Sequence, residues 1–186
     1  MLQLSNVWVT GDGGPLIFME QGLLPHWEGS DAPSQGHVVD ASSRWGLAGA
    51  TDYDRACDID NWSGVIAVGD GEAFVMSVEG NATTWLPALG TSVGTLVEWG
   101  YADSEHVLIR AAEDCIEDAE AVVETDFNIK SCPLVLFVAA ESGREPLYER
   151  LKAEIGPGIY KIKTQVKVTA TTSVICHRFD LQQRVL

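Results

Sequence analysis

Four aspartates crowd into nine residues of this chain, in Asp52-Tyr53-Asp54-Arg55-Ala56-Cys57-Asp58-Ile59-Asp60. Clustered carboxylates can hold a divalent cation or move a proton. A calcium loop wants acids at alternating positions, a central glycine and a terminal bidentate glutamate. Arg55 and Ala56 interrupt that pattern, and Arg55 suits bidentate pairing with a carboxylate instead. Trp62 follows the cluster directly, and Trp45 stands in a polar stretch. Tryptophan is enriched in binding hot spots, so both are candidate interface anchors, while most of the six tryptophans are expected in the core. The other reactive types are scattered. His26, His37, His106 and His177 include no pair at metal-ligand spacing, and no His-Glu-x-x-His occurs. A Ser-His-Asp set can assemble in space, but the chain has no Gly-x-Ser-x-Gly elbow. Gly11-Asp12-Gly13-Gly14 lacks the Lys-Ser/Thr ending of a phosphate loop and reads as a turn. Cys57, Cys115, Cys132 and Cys176 form no Cys-x-x-Cys pair and read as buried thiols of a reducing compartment, with one disulfide left open. No cofactor is expected.

The elements that must position these residues follow from periodicity. Asn6–Thr10 and Pro15–Met19 flank the glycines and read as strand, turn, strand. Gln21–Trp27 reads as a short turn or helix, and residues 29–51 as a long loop rich in Gly, Ser and Asp. Gly64–Val68 and Ala73–Val78 flank Gly69-Asp70-Gly71-Glu72, a hairpin pattern. Trp85-Leu86-Pro87 reads as a strand end or turn, and Gly94–Tyr101 as a strand. Ser104–Glu120 repeats apolar pairs every four residues, with Glu113, Asp114, Glu117 and Asp118 between them. That spacing predicts a helix with one buried stripe and one acidic face, capped by Asp103 or Ser104. Ala121–Ile129 and Leu134–Ala139 are expected strands. Pro146–Ile155, with Leu147, Leu151 and Ile155 on one face, reads as a second helix. Ile159–Thr169 alternates as a strand whose lysines, Lys161, Lys163 and Lys167, would guard an edge, and Ser173–Phe179 is its antiparallel partner. The expected architecture is a single α+β domain spanning 1–186, mostly antiparallel strands with about two helices.

Charge narrows the partner. The 186 residues carry a formal charge of −15. Residues 1–126 hold three basic and 22 acidic side chains, net −19, whereas residues 127–186 are net +4. Phosphate attraction needs a positive footprint, so direct nucleic-acid binding is disfavoured, as is docking on an anionic membrane. No basic and apolar leader and no apolar run of membrane-spanning length are present, which points to a cytoplasmic protein. An acidic face suits recruitment of a basic protein by electrostatic steering.

Four stretches carry a resemblance: Trp8-Val9-Thr10 with Gly13-Gly14-Pro15-Leu16-Ile17; Leu24-Pro25-His26-Trp27-Glu28-Gly29; Asp52-Tyr53-Asp54-Arg55-Ala56-Cys57; and Gly69-Asp70-Gly71-Glu72-Ala73 with Thr84-Trp85-Leu86-Pro87. Their order and spacing resemble the immunity protein 21 family of bacterial polymorphic toxin systems, and Tyr101-Ala102-Asp103 fits as well. The resemblance covers about residues 6–110 and is looser in the C-terminal strands. It implies a cytosolic antidote that binds and neutralises a cognate toxin, with no catalysis of its own. Basic nuclease-type toxins fit an acidic inhibitor. The candidate toxin-binding residues are Asp52, Asp54, Asp58, Asp60 and Trp62, with the helix face Glu113, Asp114, Glu117 and Asp118. The alternative is a metal-assisted hydrolase built on the Asp52–Asp60 carboxylates.

Overall fold

The computed structural model describes residues 6–11, 13–34, 50–78, 80–87, 89–90, 92–147 and 149–184. Trp45, His37, Asp12 and most of the expected 29–51 loop therefore lie outside the described residues.

Eleven strands fill two antiparallel sheets among the described residues. In chain order they are β1 (Val9–Thr10), β2 (Leu16–Glu20), β3 (Ser63–Val68), β4 (Gly71–Met76), β5 (Ala82–Pro87), β6 (Gly94–Tyr101), β7 (Ala121–Ile129), β8 (Leu134–Val138), β9 (Leu151–Ala153), β10 (Gly158–Val168) and β11 (Ser173–Arg184). A 3-10 turn spans Gln21–His26, and two α-helices follow: α1 (Asp52–Cys57) and α2 (Glu105–Asp118). One sheet has the order β1-β5-β6-β11-β10-β7 and the other β3-β4-β2-β8-β9. Among the described residues strands take 47% and helices 16%, so the α+β expectation holds broadly but the architecture is mainly β.

The sheets face each other across an aromatic core. Phe179 on β11 packs edge-on against Phe18, Phe74, Trp85, Phe127 and Tyr160, with ring centroids 5.4–6.4 Å apart. Alternation on the strands sends their other faces outward, and each outer face is covered by helix. α2 lays Leu108, Ala111, Ala112, Cys115 and Ile116 on Val97, Val174 and Cys176 of the six-stranded sheet. The 3-10 turn, Trp27 and α1 cover the five-stranded sheet through Leu23, Ala56 and Tyr53. The result is a sandwich with α2 on one outside and α1 on the other.

Several expectations hold. α2 begins after the Ser104 cap, whose hydroxyl accepts the Val107 N–H. β3 and β4 form the expected hairpin, and β10 pairs with β11 along its whole length. Trp85-Leu86-Pro87 forms the C-terminal end of β5, as the strand-end reading expected.

Others are corrected. β1 and β2 do not form a hairpin: β1 joins β5 in one sheet and β2 lies between β4 and β8 in the other, so the glycine-rich link crosses between the sheets. Pro146–Ile155 is not a helix. Leu151 and Ala153 sit on β9, and Leu151, Ala153 and Ile155 alternate inward, a period of two that coincides with the helical spacing at Leu147, Leu151 and Ile155. β10 is not an edge strand; it lies between β11 and β7. Its lysines instead pair with carboxylates: Lys161 with Asp126 at 2.5 Å, Lys163 with Asp180 at 3.6 Å and Lys167 with Asp118 at 3.2 Å. Cys115 and Cys176 are buried thiols, but Cys57 is half-buried and Cys132 exposed, and none of the four is in a disulfide.

Candidate functional site

The Asp52–Asp60 cluster folds as α1 and its exit. Thr51 caps the helix reciprocally: its hydroxyl accepts the Asp54 N–H at 3.1 Å, and the Asp54 carboxylate accepts the Thr51 N–H at 2.8 Å. Asp52 is 1% exposed. Its carboxylate accepts the Glu28 N–H at 2.8 Å, the Arg55 guanidinium at 2.8 Å and the Ser34 hydroxyl. Arg55 also donates to the Ala67 carbonyl at 2.6 Å, tying α1 to β3. Arg55 thus has the carboxylate partner its type suggested. Asp52 is consumed inside the fold and Asp54 by the cap, so neither stands on a free surface. Asp58 is half-buried at the helix end, while Asp60 and Trp62 are exposed. The four carboxylates do not converge, and among the described residues no group of three or more His, Cys, Asp or Glu is placed to hold a metal.

The second cluster is arranged differently. On α2, Asp114, Glu117 and Asp118 are exposed and Glu113 is half-buried. Arg110 lies 3.5 Å from Glu113, and Lys167 reaches Asp118. Glu113, Asp114 and Glu117 line a groove of ≈ 320 Å³ with Leu89, Gly90, Arg110 and Ile116. Acids at the C-terminal end of a helix oppose its dipole. The end is satisfied from elsewhere: the Gln165 amide donates to the carbonyls of Cys115, at 3.2 Å, and Ala119. At the other end Glu105 gathers the Asn6 backbone and side-chain amides and the Trp8 indole. Burial acts to raise its carboxyl, but these donors prevail and hold it below the usual carboxylate range.

The structure also assembles a polar chain that spacing did not reveal. Ser63 and Thr164 hydroxyls lie 2.6 Å apart, Thr164 is 2.8 Å from His177 Nδ1, and His177 Nε2 is 2.6 Å from Glu98. Hydroxyl, imidazole and carboxylate stand in the order of a catalytic relay. All four are at most 3% exposed, sealed between the sheets. Their arrangement joins β3, β10, β11 and β6 across the core, since each buried polar group needs its partner. The signal was parity: Glu98 shares a face with Leu96, and His177 with Phe179, so both had to point inward.

The two acidic clusters cover opposite outsides of the sandwich, but their ends approach one edge. Ser63 starts β3 and touches Thr164, which is opposite Val123 on β7. At the far end of the same seam, Glu72 on β4 accepts the Asn128 N–H at 2.9 Å. β3 and β7 therefore run alongside each other, with Trp62 at the end where α2 passes into β7.

The sequence matches the family model for immunity protein 21 over residues 7–173. The chain belongs to the immunity protein 21 family. The match runs from before β1 to the first residue of β11, and so extends past the residue 6–110 region in which the motifs are dense. No curated protein and no solved structure matches the chain. The stretches Leu24–Gly29 and Asp52–Cys57 of the resembling motifs pack outside the five-stranded sheet against the Gly13–Ile17 and Gly69–Ala73 stretches, whereas Trp8–Thr10 and Thr84–Pro87 lie on the β1–β5 side of the six-stranded sheet. A Cβ on Gly14 would stand 2.8 Å from the Tyr53 hydroxyl, and one on Gly69, whose φ is +56°, 3.0 Å from the His26 ring. Trp27 is fully buried and donates to the Ala139 carbonyl at 3.0 Å. These residues build the fold. No helix among the described residues is long and apolar enough to cross a membrane.

Proposed function

We propose that the chain is a cytosolic immunity protein that binds a cognate bacterial toxin, of basic, nuclease type, and neutralises it by direct complex formation without catalysis. Membership of the immunity protein 21 family supports the antidote role. The observation that carries the acidic-surface reading is the α2 face. Asp114 and Glu117 are exposed, and among the described residues no cation lies within ion-pair distance of either. Uncompensated carboxylates repel one another and weaken the folded state, so their clustering fits a partner that brings the opposite charge. Such a partner is drawn in faster than diffusion alone allows, and a basic toxin so covered loses its phosphate-binding surface.

Of the sequence candidates, Glu113, Asp114, Glu117 and Asp118 form the primary contact in this reading, with Asp58, Asp60 and Trp62 at the adjoining edge. Asp52 and Asp54 act only by holding α1 in place. The test is co-expression with the toxin encoded beside this chain's gene, followed by survival and co-purification. Rescue with a stoichiometric complex supports the reading, and failure to rescue or bind overturns it.

A further inference from the structure

Sheet edges offer unpaired backbone groups, and folded proteins usually block them. Three of the four edges here are short or blocked. β1 has two residues, and the Thr10 N–H donates to Glu149 at 2.9 Å. β9 has three residues. β3 has its Ala67 carbonyl occupied by Arg55. β7 is the exception, with nine residues paired only to β10. Its second half is blocked by carboxylates: Glu72 takes the Asn128 N–H, and Glu20 takes the Lys130 N–H at 2.8 Å.

Along an antiparallel edge the N–H groups alternate between the neighbour and the outside. Because Asn128 donates outward, Asp126 and Glu124 present their N–H groups outward too. No hydrogen bond reaches either among the described residues. This open half-strand has two distinct sides. Glu124 and Asp126 face the α2 side and are exposed, as is Val122 at the β-bulge between Ala121 and Val123. Val123 and Thr125 face the seam with β3, where Trp62 is 41% exposed, and Val122 is itself 52% exposed. Lys161 engages Asp126, but Glu124 has no cation within ion-pair distance among the described residues.

We infer that the first half of β7 is a docking edge for an extended segment of the toxin, added as a seventh strand to the six-stranded sheet. The inference rests on the toxin-binding reading and supplies its geometry. Backbone hydrogen bonds to Glu124 and Asp126 provide the attachment. Cross-strand neighbours share a face, so the segment carries lysine or arginine opposite Glu124 and Asp126 and apolar side chains toward Trp62.

The test uses the full chain and the toxin encoded beside its gene, with amide hydrogen exchange of the free and bound chain. Slowed exchange at Glu124 and Asp126 on binding is expected. Glu124→Pro removes a donor that the β10 ladder does not use, so the fold should persist while affinity falls by roughly tenfold or more. Glu124→Ala keeps the donor and should lose less. A complex that rescues cells while the exchange of Glu124 and Asp126 stays unchanged overturns the docking edge and leaves the antidote role standing. Absence of any complex overturns both. The exchange measurement on the unaltered chain decides the matter even if Glu124→Pro fails to fold.

Discussion

The Asp52–Asp60 stretch around α1 and the helix α2 carry four and five acids and use them in opposite ways. At α1 the carboxylates of Asp52 and Asp54 accept hydrogen bonds from Glu28, Ser34, Arg55 and Thr51, and the cluster is part of the scaffold. At α2 Asp114 and Glu117 are exposed with no cation in ion-pair distance among the described residues, and the helix is held from beneath by its apolar stripe and from its end by Gln165. The lesson is that a carboxylate's neighbours, rather than its company of other carboxylates, decide whether it is structural or available. The first cluster looked more like a site because it was denser and lay in a resembling motif. Density there reflects a six-residue helix needing a cap at one end and an anchor to β3 at its side.

The contrast can be broken by substitution. Asp52→Ala leaves Arg55 and the Glu28 N–H buried without their partner, and should cost about 3 kcal/mol in urea unfolding. If the loss is small, α1 is not the scaffold described here. Reversing Glu113, Asp114 and Glu117 to lysine should leave stability within about 1 kcal/mol but slow toxin association roughly tenfold or more. An unchanged rate would place the contact elsewhere. Trp62→Ala should weaken the complex by about tenfold through faster dissociation, with little change in association. Thr51→Ala removes one capping bond and should cost about 1 kcal/mol in thermal or urea melts, with toxin association unchanged.

The smallest effect is at Glu105, at the N-terminus of α2. Its folded carboxyl titrates below its unfolded value, so its contribution is complete above the ordinary carboxylate range and fades as pH falls through the folded value. The stability difference between the protein and its Glu105→Gln variant should therefore shrink on acidification below about pH 4. A difference that grows with acidity would contradict the hydrogen-bonded carboxylate.

What could be read in advance divides along similar lines. α2, the β3–β4 hairpin and the β10–β11 pair were legible because each announces itself through local periodicity. α1 was not, since its only local signals are Thr51 and Asp54 three residues apart, inside a run already crowded with acids. β9 was hidden because Leu147, Leu151 and Ile155 satisfy a helical repeat while Leu151, Ala153 and Ile155 satisfy a strand. The Ser63-Thr164-His177-Glu98 chain depends on which strands become neighbours, and β6 meets β11 across more than seventy residues of sequence. The charge asymmetry was plain from composition, but which acids stay free depended on partners such as Arg55 and Lys167.

The central claim is that the uncompensated acids of α2 draw in a basic toxin. It is tested most directly by stopped-flow association with that toxin across a range of salt concentrations, for the unaltered chain and the Glu113/Asp114/Glu117 reversal. The account predicts a rate that falls steeply with ionic strength for the unaltered chain and a much flatter, slower profile for the reversal. A tight complex whose association rate ignores salt in both proteins would contradict it.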